Sequence, residues 1–152
     1  MKLKNCVAGA FLLLCSFFAQ AQDQKFPIND PDRNKPKLFA DLPQKMEARI
    51  SEMQNLFRHK VGAVISMQLS EQFLFEGSIV SKAEDPQVKS VVIRSTNRPG
   101  AVLSFSRTQH ADGSEKFVGM IISRNNADAY EITKEKGHYV FIKKDLYDLM
   151  NE

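Results

Sequence analysis

The sequence predicts an α+β domain: one N-terminal amphipathic helix packed on a strongly curled antiparallel sheet, or on a small barrel, of about seven strands, with a short C-terminal helix. Two observations support this prediction. Apolar residues recur at helical spacing in one segment and at every second position beyond residue 60. Short turn sequences separate the later segments, and no helix long enough for a parallel crossover lies between them. We therefore expect an antiparallel meander.

The first 21 residues have the organisation of a secretory signal peptide. Lys2 and Lys4 provide a basic start, residues 7–18 form an apolar run, and residues 19–21 (AQA) provide a small-residue cleavage site. The apolar run is shorter than the roughly 20 residues that a membrane-spanning helix requires. We expect export to the periplasm or the exterior, with no transmembrane segment after the signal is removed.

The cysteines and the net charge both change with removal of this signal. Cys6 and Cys15 lie inside it, so the mature chain has no disulfide and no cysteine-ligated metal. Lipid attachment at Cys15 is an alternative, although bulky leucines precede it. Loss of the two signal lysines lowers the net charge from +3 to +1. A nearly neutral exported domain gives no reason to expect nucleic-acid binding.

The mature chain divides into a leader and one domain. Residues 22–37 contain three prolines and few large apolar residues, which indicates a flexible leader. Residues 38–152 form the single predicted domain. The motif DPDRN at residues 30–34 is similar to the start of a calcium loop, but Lys35 stands where that loop requires glycine, so we interpret it as linker.

The amphipathic helix is predicted between residues 41 and 59. Asp41 can cap its N-terminus, and Pro43 is tolerated in a first turn because its missing N–H would have no intrahelical partner. Apolar residues at steps of three or four form one stripe: Leu42, Met46, Ile50, Met53 and Phe57. Charged residues occupy the other faces, so the helix should lie on the sheet.

Seven strands are predicted after the helix. They cover residues 61–69, 73–79, 88–95, 101–106, 117–123, 129–133 and 138–143. In the first four strands the odd-numbered residues are the apolar set and should face the core. The pairs Asp112-Gly113 and Lys136-Gly137 indicate tight hairpin turns. Asp145 can begin the short C-terminal helix.

Catalytic and metal-binding patterns are weak. The three histidines His59, His110 and His138 lack a zinc-binding spacing, and no nucleophile elbow or phosphate-binding glycine loop occurs. Carboxylates are plentiful, but nothing places a catalytic pair. Glu76, in the middle of a strand, should point to solvent. We therefore predict no cofactor, no metal site and no enzymatic activity.

The candidate partner-binding residues are basic side chains in or near two turns. The turns are residues 95–100 and 108–114. The candidates are Arg94, Arg98, Arg107 and His110. A stacking surface for nucleic acid would also need exposed rings, whereas the strand alternation buries the neighbouring phenylalanines.

Three segments resemble small, uncharacterised exported β-rich proteins of Gram-negative bacteria. The segments are VVIRS at residues 91–95, GAVLSFS at residues 100–106 and YVFIKK at residues 139–144. The likeness covers roughly residues 56–152 and rests mainly on strand and turn positions. It implies an exported β-rich domain and brings no activity, cofactor or catalytic residue.

Together these observations favour an exported, non-enzymatic binding module for a protein or glycan partner. An inhibitor or pro-domain-like protein is the second hypothesis, in which a strand edge or loop would engage a hydrolase. A small hydrolase that uses two carboxylates at a barrel mouth is the third.

Overall fold

The computed structural model describes residues 35–150, except for the side chain of residue 150. The predicted signal peptide and residues 22–34 of the predicted leader lie outside the described residues. The elements, in chain order, are β1 Lys45–Glu47, α1 Ile50–Gln54, a 3₁₀ turn Asn55–Arg58, β2 Val64–Ser70, β3 Phe73–Glu84, β4 Val88–Ser95, β5 Ala101–Gln109, β6 Glu115–Ser123, β7 Asp128–Glu135, β8 His138–Asp145 and α2 Leu146–Met150.

The strands form one curled antiparallel sheet with the shape of a half-barrel. Strands β2 to β8 pair in sequence order as a meander, and β1 adds to the outer side of β8. All seven strands predicted beyond residue 60 are therefore confirmed, and so is their antiparallel meander. Neither α-helix of the described segment, each five residues long, could cross a membrane.

The predicted helix over residues 41–59 is wrong in its first half. Residues Lys45–Glu47 form β1, in which Met46 is buried opposite Phe141 of β8. Helix α1 begins only at Ile50, and Asp41 pairs with an arginine instead of capping it. The apolar spacing fits a helix, but the exposed edge of β8 offers this segment a ladder of backbone hydrogen bonds, and tertiary pairing overrides local propensity.

The alternating apolar residues fill the concave side of the sheet. The buried odd-numbered residues of β2 to β5 include Ile65, Met67, Leu69, Phe73, Phe75, Ile79, Val91, Ile93, Ala101, Leu103 and Phe105. This confirms the predicted inward face. Met53 and Leu56 of α1 and the 3₁₀ turn are buried against it, and Phe57 stacks on Phe105 with ring centroids 5.5 Å apart. Burial of these rings supplies much of the hydrophobic stabilisation.

Residues 38–43, here called the strap, fold over one end of the half-barrel. The buried carboxylate of Asp128 accepts hydrogen bonds from the backbone N–H groups of Leu38 and Phe39, at 2.6 and 2.9 Å. Lys143 donates to the carbonyl of Phe39, and the Tyr130 hydroxyl donates to that of Pro43. These bonds satisfy buried backbone groups while the Phe39 ring enters the core. We call this end of the half-barrel the strap end.

The opposite end of the half-barrel is the helix end. The helical segment reaches it after a short connection in which Ala48 donates to the carbonyl of Tyr139 on β8 and Arg49 donates to that of Leu69 on β2, both at 2.9 Å. This connection bridges the last and first strands of the meander. The 3₁₀ turn is anchored by Lys82, whose ammonium donates to the carbonyls of Phe57 and His59, both at 2.8 Å.

Candidate functional site

The structure divides the four candidate residues between the two ends of the sheet. Arg94 lies near the strap end of β4, and Arg98 lies in the loop that follows it. Arg107 and His110 lie at the helix end, on β5 and in the next hairpin loop. Arg94 pairs in register with Val102, five residues before Arg107. At roughly 3.3 Å per residue the two positions are about 17 Å apart, so the four residues do not form one surface.

Arg98 is engaged with the strap. Its guanidinium donates two hydrogen bonds to the carboxylate of Asp41, at 2.8 and 2.5 Å, and a third to the carbonyl of Leu38 at 3.1 Å. It also lies 5.9 Å from the centre of the Phe73 ring. The hydrogen bond from Arg98 holds the pKa of Asp41 below its ordinary value. These contacts give Arg98 a role in holding the strap.

Arg94 and His110 have different surroundings. Arg94 is exposed, on the sheet face opposite the core. The backbone of His110 closes the β5–β6 hairpin through bonds to Ser114 and Gly113, at 2.9 and 3.0 Å. Gly113 has φ of 82°, as its predicted place in this hairpin turn requires. The side chain of His110 borders a cavity between β6 and β7.

Arg107 lines a different cavity, at the helix end of the sheet. It lies in register between Lys89 on β4 and Phe117 on β6, on the inward face of the sheet. The cavity has a volume of about 330 Å³. We call it the cationic cleft, and it is lined by Ser51, Gln54, Asn55, Phe57, Arg58, Lys89 and Arg107.

The helical segment forms one wall of the cationic cleft. Ser51, Gln54 and Arg58 are spaced by three and four residues, which places them on one face of consecutive helical turns. Met53 and Leu56 lie on the other face, in the core. Core burial of the apolar face therefore presents a row of polar side chains to the cavity.

Positive charge predominates at the cationic cleft. The Arg107 guanidinium pairs with Glu115 at 2.9 Å, and the Gln54 amide donates to the same carboxylate at 3.3 Å. Within residues 35–149 neither Arg58 nor Lys89 forms an ion pair. Lys89 therefore adds to the positive charge at this end without a salt-bridge partner of its own.

A second ion pair lies at the same end of the sheet. Glu84 pairs with Lys82 at 3.0 Å, and its pKa is lowered first by the hydrogen bond from Lys82 and then by the charges of Lys82 and Lys89. Among the residues that line the cationic cleft, three are cations and none is acidic. The excess charge there is positive.

Arg107 also carries an unsatisfied donor. Its Nε–H is buried and has no hydrogen-bond partner, and it is the one such side-chain atom in the described part of the chain. A guanidinium presents five N–H donors, and a buried donor left without an acceptor costs free energy. The arrangement is suited to an anionic group that enters the cleft and accepts from Arg107, Arg58 and Lys89.

The sequence interpretation missed Arg58 and Lys89. It assigned Arg58 to the solvated side of a long helix and did not single out Lys89. Lys89 is separated by an even number of residues from the inward-facing Val91 and Ile93, and Arg107 is separated in the same way from the inward-facing Phe105. Both cations therefore face the inner side of the sheet. This alternation is the sequence signal that could have placed Lys89 beside Arg107. Arg58 could be added only once the true start of α1 was known.

The acidic groups of the described residues form no metal cluster, and their resolved pKa shifts run downward. No group of three histidine, aspartate or glutamate side chains among residues 35–149 is arranged to hold a metal ion. The carboxyl groups of Asp41, Glu84 and Asp112 have lowered pKa values, caused mainly by hydrogen bonds from Arg98, Lys82 and Ser114 respectively. A general acid requires the opposite shift.

No protein-family model matches the chain, and no curated protein and no solved structure is significantly similar to it.

Proposed function

We propose that this protein is an exported, non-enzymatic binding module that holds an anionic group of a protein or glycan partner in the cationic cleft. The observation that carries the proposal is the convergence of Arg58, Lys89 and Arg107, from three separate elements, on one cavity of about 330 Å³. Cations brought together from distant parts of a chain repel one another. Their convergence has a physical rationale if an anion binds among them.

The lining suits a carboxylate, sulfate or phosphate attached to a larger molecule. Arg58 and Arg107 can each donate two parallel hydrogen bonds to such a group, and Lys89 contributes a compact positive charge. Ser51, Gln54 and Asn55 add neutral polar groups at the wall formed by the helical segment. A cavity of this size accommodates the anionic group and its nearest atoms, while the rest of the partner stays outside.

Binding alone accounts for the cleft. Glu115, the carboxylate that reaches it, accepts hydrogen bonds from Arg107 and Gln54. The predicted export would bring the protein to a partner in the cell envelope or outside the cell. Acidic glycans and acidic protein segments are the classes of partner with the required charge.

The test is a calorimetric titration of the purified protein with three probes: a heparin hexasaccharide, an oligogalacturonate and a tetraglutamate peptide. We expect at least one to bind, and the preferred probe distinguishes sulfated glycan, carboxylated glycan and peptide. The variants Lys89→Ala and Arg107→Ala should each weaken binding about 10-fold or more, the effect of losing a charge-assisted hydrogen bond.

Arg94→Ala is the matched control, because it removes one positive charge from an exposed position remote from the cleft. Its affinity should stay within about twofold of the unaltered protein. An equal loss in Arg94→Ala and Lys89→Ala would mean diffuse charge attraction and would overturn the proposal. If none of the three probes binds at millimolar concentration, the proposal is overturned as well.

A further inference from the structure

A second cavity lies where strands β6 and β7 separate. Strand β6 pairs with β5 as far as Glu115, but with β7 only over Gly119–Ile121. Strand β7 pairs with β8 as far as Glu135. Residues 115–118 and 133–135 therefore each have a ladder partner on one side only. The cavity between them has a volume of about 430 Å³ and is here called the strand gap.

Glycine helps to bring the two strands together just before they diverge. A Cβ atom at Gly119 would lie 2.7 Å from the Ile132 side chain and 2.9 Å from the carbonyl of Ser104. Only glycine fits this close approach without a shift of its neighbours. From Gly119 back toward Glu115 the strands separate, and residues of both strands line the strand gap.

The backbone of β6 presents hydrogen-bonding groups to the strand gap. The N–H of Phe117 donates to the hydroxyl of Tyr139, at 3.1 Å, and not to a strand carbonyl. Because the N–H and C=O groups of successive residues alternate between the two sides of a strand, Glu115 faces the same side as Phe117. The Tyr139 hydroxyl thus occupies the position of one acceptor that a neighbouring strand would supply.

The walls of the strand gap are aromatic on the inside and basic at the rim. Phe117 and Tyr139 form an edge-to-face pair with centroids 5.5 Å apart, and the Lys134 ammonium lies 5.5 Å from the Tyr139 ring. Lys116 and His110 also border the cavity. The one carboxylate of the lining is that of Glu115, which already pairs with Arg107 at 2.9 Å.

We infer that the strand gap receives an extended, acidic segment of a partner polypeptide, which adds to β6 as an antiparallel strand. A polypeptide backbone is the ligand whose donors and acceptors repeat at the spacing that Glu115 and Phe117 offer. Displacement of the Tyr139 hydroxyl by a peptide carbonyl preserves the hydrogen bond of Phe117. The basic rim selects acidic side chains on the incoming strand.

This inference goes beyond the proposed function, because the strand gap and the cationic cleft are different cavities. The probe is acetyl-Glu-Val-Glu-Val-Glu-amide, added to the ¹⁵N-labelled protein. We expect the largest amide shifts at Glu115 and Phe117, and at least tenfold slower hydrogen exchange at both amides. The same peptide, N-methylated at two consecutive central residues, cannot form the backbone hydrogen bonds in either register of pairing with β6. It should bind at least tenfold more weakly. A lysine-for-glutamate counterpart should also bind at least tenfold more weakly.

Three variants of the protein complete the test. Tyr139→Phe removes the competing hydroxyl and should tighten peptide binding several-fold, an effect that a purely structural role would not produce. Lys134→Glu should weaken binding at least fivefold, whereas Lys136→Glu, the same charge change in the neighbouring turn, should not alter it. Lys89→Ala should leave peptide binding at the strand gap unchanged, so failure of the cationic cleft and failure of the strand gap are distinguishable.

Several results would overturn the inference. Equal binding of the N-methylated peptide would show that backbone pairing is not involved. Shifts centred on Lys89 and Arg107 would place the peptide in the cationic cleft instead. If the peptide does not bind at millimolar concentration, strand addition is ruled out. Preferential binding of a glycan at the same amides would rule it out as well.

Discussion

Phe39→Ala tests whether the strap is an integral part of the core. The Phe39 side chain is fully buried, and its ring centroid lies 5.1 Å from that of Tyr130 and 5.9 Å from that of Phe73. Truncation of a buried phenylalanine to alanine costs about 3–5 kcal/mol, from lost transfer free energy and the cavity that remains. The backbone bonds of the strap to Asp128 hold its position, so the cavity should collapse little. We expect a loss of about 4 kcal/mol.

That loss is large beside the total stability of a domain this size, which is about 5–15 kcal/mol. It corresponds to a fall in Tm of about 15 °C. Urea unfolding followed by circular dichroism and calorimetric measurement of Tm provide the assay. Lys37→Ala, at an exposed neighbouring position, is the control and should change stability by less than about 0.5 kcal/mol.

A milder variant keeps the test informative if Phe39→Ala fails to fold. Phe39→Leu retains most of the apolar volume and should cost about 1–2 kcal/mol. A loss below about 1 kcal/mol for Phe39→Ala would refute the reasoning, because the strap would then contribute little to the core. In that case deletion of the ring would leave the near-ultraviolet circular dichroism of Tyr130 and its neighbours unchanged.

The remaining predictions concern the sheet, the strap and pH. Gly77→Ala should lose about 2–3 kcal/mol in urea unfolding, because its Cβ would overlap a backbone carbonyl of β4. Tyr130→Phe should cost about 1–2 kcal/mol, since the buried hydroxyl donates to the carbonyl of Pro43. The pKa of Asp41 is lowered in the folded state by Arg98, so its contribution is present above the ordinary value of 3.8 and is lost as pH falls below it. Asp41→Asn should therefore reduce the fall in unfolding free energy between about pH 5 and pH 3. The reduction should be less than about 1 kcal/mol, because the pair is partly exposed. An unchanged dependence of stability on pH would contradict this role.

The sheet was predictable from the sequence because its strands carry a local signal. The alternation around Phe73, Val91 and Leu103 is set by which face meets the core, and three of the six turns between β2 and β8 contain a glycine at positive φ, namely Gly100, Gly113 and Gly137. The Lys136-Gly137 turn has both residues at positive φ, 47° and 90°, as a tight hairpin requires. Local pattern and final structure agree here, so single-sequence reasoning is sufficient.

The strap and β1 were not predictable, because their partners are far along the chain. The stripe that includes Leu42 and Met46 has helical spacing, and both residues are indeed buried, but in a strap and a strand. The groups that hold this segment, Asp128 and Lys143, lie about a hundred residues later, where nothing local marks them as partners.

The candidate site was only partly predictable for a related reason. Arg107 was identified as a basic residue near a turn, but its neighbours in the cleft depend on which strand ends meet the helical segment. Arg98, identified on the same grounds, proves to hold Asp41 of the strap. Residue type and turn proximity suggested candidates, whereas the register of β4 with β5 placed Lys89 beside Arg107.

The most direct test of the cationic cleft is the ¹H–¹⁵N resonance of the Arg107 Nε–H group. This donor is buried without a partner, so its resonance should shift strongly when an anion of the bound probe pairs with the Arg107 guanidinium. The resonance of Arg94, exposed on the opposite sheet face, should stay in place. An Arg107 signal that remains unmoved at saturating probe, or a shift of equal size at Arg94, would contradict the account.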